Sequence, residues 1–162
     1  MIRGSTRQTA AMRRGLQQET EVLASYAELM RVNMLPVGLV ILPEAPHLGA
    51  LPDGRIYDPT ESPPFGLVEV KCTTKSNASQ VAHLKDDGGN VILRQSHGYY
   101  WQVQGQLAVT GLEWCAFVTE TNVYIQRIWR DNGFIIQMKQ KLYLFYECVL
   151  KITLNVMERL FG

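Results

Sequence analysis

The run Gly-Leu-Val-Glu-Val-Lys-Cys, from Gly66 to Cys72, is the feature that most constrains the fold of this chain. Its apolar and branched residues predict a β-strand over Leu67–Thr73. Because side chains alternate between the two faces of a strand, the two valines point one way while Glu69 and Lys71 point the other. Such a strand needs an apolar core on one face and a polar cavity on the other.

A second acidic residue lies in a turn ahead of this strand. Pro52-Asp53-Gly54 is a turn signature, and it predicts two short strands joined by a bend across Leu48–Tyr57. If that hairpin brings Asp53 beside Glu69, the two carboxylates repel each other unless a divalent cation lies between them. Mg²⁺ binds carboxylates, waters and phosphate oxygens. A lysine beside the attacking water then completes a site for phosphodiester hydrolysis. Lys71 is suited to this role because it shares a strand face with Glu69.

Each of these motifs has a simpler explanation when it is taken alone. Glu-x-Lys arises by chance in many chains, and it can be a cross-strand or solvent-facing charge pair. Pro-Asp-Gly can be only a turn. The two motifs together, at the ends of neighbouring strands, favour a metal site over both simpler explanations.

The remaining sequence predicts helices and strands in one continuous fold. The predicted elements are an amphipathic helix over about Thr9–Val32, a strand over Val37–Leu42, an irregular, mobile loop over Thr74–Ser96, a helix over Tyr99–Thr110 ending at Gly111, a strand pair at Trp114–Thr119 and Asn122–Trp129, and a helix over about Gly133–Leu160 with a core stripe of Leu142, Phe145, Val149, Ile152, Val156 and Leu160. This order predicts an α/β fold with a mixed central sheet flanked by helices. We expect one domain over residues 1–162, with residues 1–10 flexible.

Composition narrows the classes of function. The net charge of +1 over 162 residues is not that of a protein that simply coats nucleic acid. Three widely spaced cysteines without a Cys-x-x-Cys motif indicate neither a disulfide framework nor a zinc site, which favours a reducing intracellular compartment. Charged residues interrupt the most apolar stretch, Leu142–Leu160, so we expect no membrane span.

Three runs, in order along the chain, resemble the YqaJ-type viral recombinase nucleases. The runs are Leu48–Gly54, Gly66–Cys72 and Tyr99–Gln106, and the similarity continues through Gly111–Phe117 and reaches back to the helix at Gly15–Tyr26. These nucleases are relatives of the phage lambda exonuclease within the PD-(D/E)XK superfamily. The resemblance implies a restriction-endonuclease-like α/β core and a DNA exonuclease that resects double-stranded ends in recombination or repair.

The resemblance also implies roles for individual residues. Asp53 and Glu69 match the family's metal carboxylates, and Lys71 matches its catalytic lysine. The backbone carbonyl of Val70 commonly completes the metal shell in such sites. Glu19 is the best match to an acidic residue of the family's first helix. The implied cofactor is Mg²⁺, with Mn²⁺ able to substitute.

Several polar and aromatic positions keep two interpretations. Glu21 is the alternative to Glu19, and both can instead belong to a solvated helix face. For the family's active-site glutamine, Gln102 is the first choice and Gln104 the second. Helix geometry puts positions 102 and 106 on one face and turns 104 away from them. Tyr99-Tyr-Trp101 can stack on bases, but packing in the core is the favoured interpretation.

Two other functions remain open from the sequence. One is an endonuclease of the restriction or junction-cleaving type on the same fold, and the other is a DNA-binding module without catalysis. Leu51 departs from the family, which usually has Ser there, and this change can alter hydrogen bonding around the site. The implied partners are double-stranded DNA ends and a single-strand annealing or recombination protein, with the oligomeric state left open.

Overall fold

The computed structural model describes residues 9–72, 81–119 and 124–161. Residues 1–8 of the predicted flexible start, the first part of the predicted loop after Cys72 and the predicted turn near Glu120 therefore lie outside the described residues. The chain divides into two compact units, Met1–Arg130 and Asp131–Gly162. A single domain over residues 1–162 stays a prediction.

The first unit has two helices and nine strands among its described residues. In chain order they are α1 (Ala10–Met30), β1 (Asn33–Leu35), β2 (Val40–Ile41), β3 (Gly49–Ala50), β4 (Gly54–Tyr57), β5 (Phe65–Lys71), β6 (Leu84–Asp87), β7 (Asn90–Leu93), α2 (Gly98–Thr110), β8 (Trp114–Thr119) and β9 (Tyr124–Trp129). The main sheet has the order β1-β4-β5-β8-β9. Only β5 and β8 are parallel, and the other neighbours are antiparallel. The predicted α/β fold with a mixed sheet is confirmed.

The alternation predicted for the strand around Glu69 is present in β5. Val68 and Val70 belong to a buried cluster with Tyr26 of α1, and Trp114 of β8 joins it. Glu69 lies on the opposite face of β5, where α2 supplies its hydrogen-bond partners. The sheet therefore places an apolar core on one side and a polar site on the other.

Both ends of α2 are determined by local chemistry. His97 is the N-cap residue, and its Nδ1 accepts a hydrogen bond from the backbone N–H of Tyr99 at 3.2 Å. Gly111 has a left-handed backbone with φ of 72°, and its N–H donates to the carbonyl of Leu107 at 3.0 Å. Glycine adopts this conformation without a steric penalty, so the predicted end of the helix at Gly111 is confirmed.

The prediction of an irregular loop is wrong for residues 84–93. These residues form an antiparallel hairpin of β6 and β7. Its turn contains Gly88 and Gly89, with φ values of 66° and 93°. Tight hairpin turns require such positive φ values, which glycine supplies readily. The polar composition of these residues indicates exposure to solvent, and an exposed hairpin shares that composition with an irregular loop.

The second unit is the helix α3, Asn132–Phe161. The carboxylate of Asp131 accepts a hydrogen bond from the N–H of Phe134 at 2.9 Å, which satisfies a backbone group at the start of the helix. The predicted core stripe is wrong for its described members, all of which are exposed: Leu142, Phe145, Val149, Ile152 and Val156. Helical spacing identifies an apolar face but not whether anything covers it. Among the described residues, no helix has the length and apolarity to cross a membrane.

Candidate active site

The register of β4 on β5 brings Asp53 to Glu69. Gly54 pairs with Val68 in this antiparallel ladder, so one step further along both strands Asp53 lies level with Glu69. The carboxylate of Asp53 accepts a hydrogen bond from the backbone N–H of Val70 at 2.7 Å. This bond anchors the turn residue to the strand that carries the second carboxylate and Lys71.

Glu69 is fully buried, with 0% of its surface exposed, and three side chains donate to it. Gln102 donates to Oε1 at 2.5 Å, and Gln106 donates to Oε2 at 2.7 Å. Lys71 forms an ion pair with Oε1 through Nζ. A buried carboxylate needs such donors because it has lost its hydration. One helix, α2, therefore fixes both oxygens of the acid on β5.

Burial raises the pKa of each acidic group of the site, and the charge of Asp53 adds to this effect at two of them. Burial raises the pKa of Glu69, and the neighbouring Asp53 raises it further, whereas Lys71 lowers it. Burial also raises the pKa of Asp53. Burial and then the charge of Asp53 raise the pKa of Glu19 on α1. Three acids from α1, the β4 turn and β5 thus share one electrostatic environment with an excess of negative charge.

This donor set fits a hard divalent cation. Among the residues that the structure describes, no three His, Cys, Asp or Glu side chains stand together as a ready-made metal centre. Mg²⁺ does not require one, because it keeps several waters and takes one or two carboxylates from the protein. Asp53 and Glu69 are such a pair. A cation between them would favour the charged form of both acids, against the burial that raises both pKa values and the charge of Asp53 that raises the pKa of Glu69 further. The carbonyl of Val70 as a further ligand stays a prediction.

The structure separates the alternative candidates. Glu21 is exposed and accepts a hydrogen bond from Gln17 at 3.1 Å on the surface of α1. Gln104 is buried and donates to the carbonyl of Trp129 at 2.9 Å, so it ties α2 to β9 rather than to Glu69. The side chain of Leu51 is 62% exposed. Gln102, the first choice of the two glutamines proposed from the sequence, donates to Glu69.

Gln106 is the residue of this site that the sequence interpretation did not select. Its spacing of four residues from Gln102 places both on one face of α2, and this was the available signal. Its buried amide holds the second oxygen of Glu69, so the carboxylate cannot turn without losing a hydrogen bond. Because a glutamine on an amphipathic helix is usually solvated, the sequence alone does not indicate that Gln106 contacts β5.

The raised pKa of Asp53 predicts that the site costs stability when no cation is bound. The folded protein holds this proton to a higher pH than the unfolded chain does, so stability falls as pH rises through that interval. Asp53→Asn removes the charge, and its amide oxygen still accepts the hydrogen bond from Val70. We expect the variant, in EDTA at pH 7, to melt at a higher temperature than the wild type, because the uncharged amide does not carry the cost of a partly buried charge.

Thermal melts of both proteins from pH 3 to pH 8 would test this expectation. The difference in melting temperature should vanish below the ordinary carboxyl pKa, where Asp53 is neutral in both the folded and the unfolded chain. Asp87→Asn is the matched control, because Asp87 is exposed on the β6–β7 hairpin, and it should leave the melting temperature unchanged. An Asp53→Asn protein that melts at or below the wild-type temperature at pH 7 would contradict the electrostatic argument.

Comparisons with known proteins agree with this geometry. The model of the YqaJ-like viral recombinase domain matches residues 2–113. The crystal structure of LHK-Exo in complex with dAMP is 26% identical, with a TM-score of 0.75, over 94% of this chain and 75% of that one. A crystal structure of the alkaline exonuclease LHK-Exo from Laribacter hongkongensis is 27% identical, with a TM-score of 0.72 and the same coverage of both chains. No curated protein matches.

The family model covers well over half of the sequence, including β5 and the whole of α2 with its glutamines. The family resemblance read from the three sequence runs is therefore confirmed. The structural matches extend that likeness over nearly the whole chain. The chain belongs to the YqaJ-like viral recombinase family, and this membership and its alkaline exonuclease neighbours support a nuclease role in recombination.

Proposed function

We propose that this protein is a metal-dependent DNA exonuclease that hydrolyses phosphodiester bonds at double-stranded ends during recombination or repair. The observation that carries the proposal is the convergence of Asp53 and Glu69 beside Lys71 at the end of β5. Two repelling carboxylates next to a cation are an arrangement that suits a divalent ion and a phosphate. The likeness to an alkaline exonuclease favours removal of nucleotides from ends.

Asp53 and Glu69 would hold Mg²⁺, with the carbonyl of Val70 as a further ligand and Glu19 close by. Mn²⁺ would substitute, because it accepts the same oxygen ligands. When bound, the ion would polarise the phosphate as a Lewis acid and would lower the pKa of a water, so that the water loses a proton readily and can act as the nucleophile. Gln102 and Gln106 keep both oxygens of Glu69 in place for this ligation.

Lys71 supplies the cationic side chain of the proposed mechanism. It follows Glu69 by two residues and therefore lies on the same face of β5. Its side chain is 19% exposed, so it can approach a phosphate that enters from solvent. A cation so placed orients the attacking water and stabilises the negative charge that develops on the phosphate oxygens.

DNA is the proposed substrate. One structural neighbour, LHK-Exo, was crystallised with dAMP, a deoxyribonucleotide of the kind that an exonuclease releases from DNA. The chemistry assigned to Asp53, Glu69 and Lys71 is itself indifferent to the sugar, so the preference for DNA rests on this likeness and on the family. A single-strand annealing or recombination protein would be the partner that receives the resected end.

Digestion of linear and covalently closed circular duplex, each labelled internally, would test this function. With Mg²⁺, we expect the wild-type protein to release mononucleotides from the linear duplex and to leave the circle intact. EDTA should stop the reaction, and Mn²⁺ should support it. Linear duplexes with 5′-phosphate and 5′-hydroxyl ends would show the end preference. Cleavage of the circle would instead establish an endonuclease, and failure to degrade either DNA with both metals would favour a non-catalytic DNA-binding module.

A further inference from the structure

The ring of Tyr99 lies beneath the side chain of Lys71. The Nζ atom of Lys71 is 5.0 Å from the ring centroid, which is within the range of a cation–π interaction. Tyr99 is in the first turn of α2, whereas Lys71 ends β5. This contact therefore joins the cation of the proposed site to the helix that also holds Glu69.

Neighbouring rings hold Tyr99 in this position. The ring of His97 meets it edge-on at 4.6 Å between centroids, and the ring of His83 meets it edge-on at 5.0 Å. Phe117 of β8 lies 6.2 Å away on the sheet. His97 also accepts the backbone N–H of Tyr99, so it fixes both the main chain and the ring. The ring cannot turn away from Lys71 without breaking several of these contacts.

The charge balance explains why a ring suits this position. Glu69 is the acidic partner of Lys71, yet it also accepts hydrogen bonds from Gln102 and Gln106 and would have to serve as a metal ligand. A further carboxylate in place of the ring would add negative charge to the acids already near Lys71 and offset more of the charge that the phosphate needs. An aromatic face attracts an ammonium group but carries no net charge, so it holds the lysine and leaves the charge available.

We propose that Tyr99 is a positioning residue that holds the ammonium group of Lys71 toward the substrate phosphate through its ring. The inference rests on the proposed function, because it concerns the same reaction. It assigns the effect to the face of the ring and not to the phenol hydroxyl. It also differs from both interpretations drawn from the sequence, base stacking and core packing.

Tyr99→Phe and Tyr99→Leu separate the ring from the hydroxyl. We expect Tyr99→Phe to keep the single-turnover rate of nucleotide release within about twofold. Tyr99→Leu should lower that rate by about 3- to 30-fold, the range that a cation–π contact of ordinary strength gives. The KM for linear duplex should change much less if, as inferred, the ring acts on Lys71 and not on the substrate. Tyr100→Leu is the matched control, since Tyr100 is one position along α2 and is itself buried, and it should not reproduce the loss at equal melting temperature.

Fluorinated phenylalanines at position 99 give a readout that a structural role would not move. Successive fluorines weaken the negative face of the ring while its shape changes little. The rate should therefore fall in steps from Phe to monofluoro-, difluoro- and trifluoro-Phe. A flat series, a Tyr99→Leu rate equal to wild type, or an equal loss in Tyr100→Leu would overturn the inference.

The inference can fail separately from the proposed function. If wild-type protein degrades linear duplex and Lys71→Met does not, a normal rate in Tyr99→Leu overturns only the role of Tyr99. If the wild type degrades nothing, the proposed function fails. NMR of the metal-free protein then shows whether Lys71 contacts the Tyr99 ring. The Lys71 Hε resonances should then be shifted upfield by the ring and should return to ordinary values in Tyr99→Leu. Unshifted resonances in the wild type would overturn the contact itself.

Discussion

Lys71→Met is expected to reduce degradation of linear duplex by roughly 10²- to 10³-fold, the usual loss when one preorganised electrostatic group is removed from a transition state. Methionine keeps most of the length and apolar surface of the lysine stem but removes the charge. The ammonium group of Lys71 pairs with Glu69 and lies over the Tyr99 ring. Methionine offers no equivalent charge to a phosphate.

The loss should appear in the chemical step and not in the fold or in metal binding. Single-turnover release from an end-labelled duplex measures that step, and calorimetric titration with Mn²⁺ measures the ion site separately. Lys85→Met is the matched control, because Lys85 is a partly exposed residue of the β6–β7 hairpin and pairs with Asp87. It should digest within about twofold of wild type. A Lys71→Met protein that digests at the wild-type rate would remove Lys71 from the mechanism.

The sequence was sufficient to predict the contacts that depend on local periodicity. The alternation along β5 separated Val68 and Val70 from Glu69 and Lys71, and the Pro-Asp-Gly turn placed Asp53 next to that strand. Both follow from the two-residue period of a strand and from short connections between neighbouring strands. The sequence predicts the approach of Asp53 to Glu69 only as a condition on how the strands pair, and the register of β4 on β5 meets that condition.

The contacts that the sequence did not show are tertiary. Gln106 contacts Glu69 across 37 residues, and Tyr99 reaches Lys71 from another element, so no local pattern identifies either pair. The short strand β1 has only three residues, too few for alternation to be recognised. The apolar face of α3 was predicted from local periodicity, but its burial was not. Periodicity indicates which residues share a face and does not indicate what packs against that face.

Gly66→Ala is expected to be the most destabilising small substitution in β5. The parallel pairing of Leu67 with Cys115 places Gly66 beside Trp114 on the neighbouring strand. A Cβ atom at position 66 would lie 2.2 Å from atoms of the indole ring, far inside van der Waals contact. We expect a loss at or above the usual 1–3 kcal/mol for overpacking a core, roughly 2–4 °C of melting temperature for each kcal/mol.

The indole of Trp114 cannot move aside to relieve this clash. Trp114 is completely buried, its Nε1 donates to the carbonyl of Pro63 at 2.8 Å, and the guanidinium of Arg127 lies 3.8 Å from its ring centroid. Gly15→Ala is the control, because no atom lies within 4 Å of a Cβ at that position on α1, and alanine favours a helix.

Combining Gly66→Ala with Trp114→Leu tests the clash directly. Leucine removes the ring that the new methyl group would meet, so the double variant should lose less stability than the sum of the two single losses. Urea unfolding of the four proteins gives this coupling energy. Additive losses would show that glycine is required at position 66 for its backbone conformation and not for the space that it leaves to Trp114. Because β5 carries Glu69 and Lys71 and pairs with the strand after Asp53, a backbone shift at Gly66 would also move the proposed site.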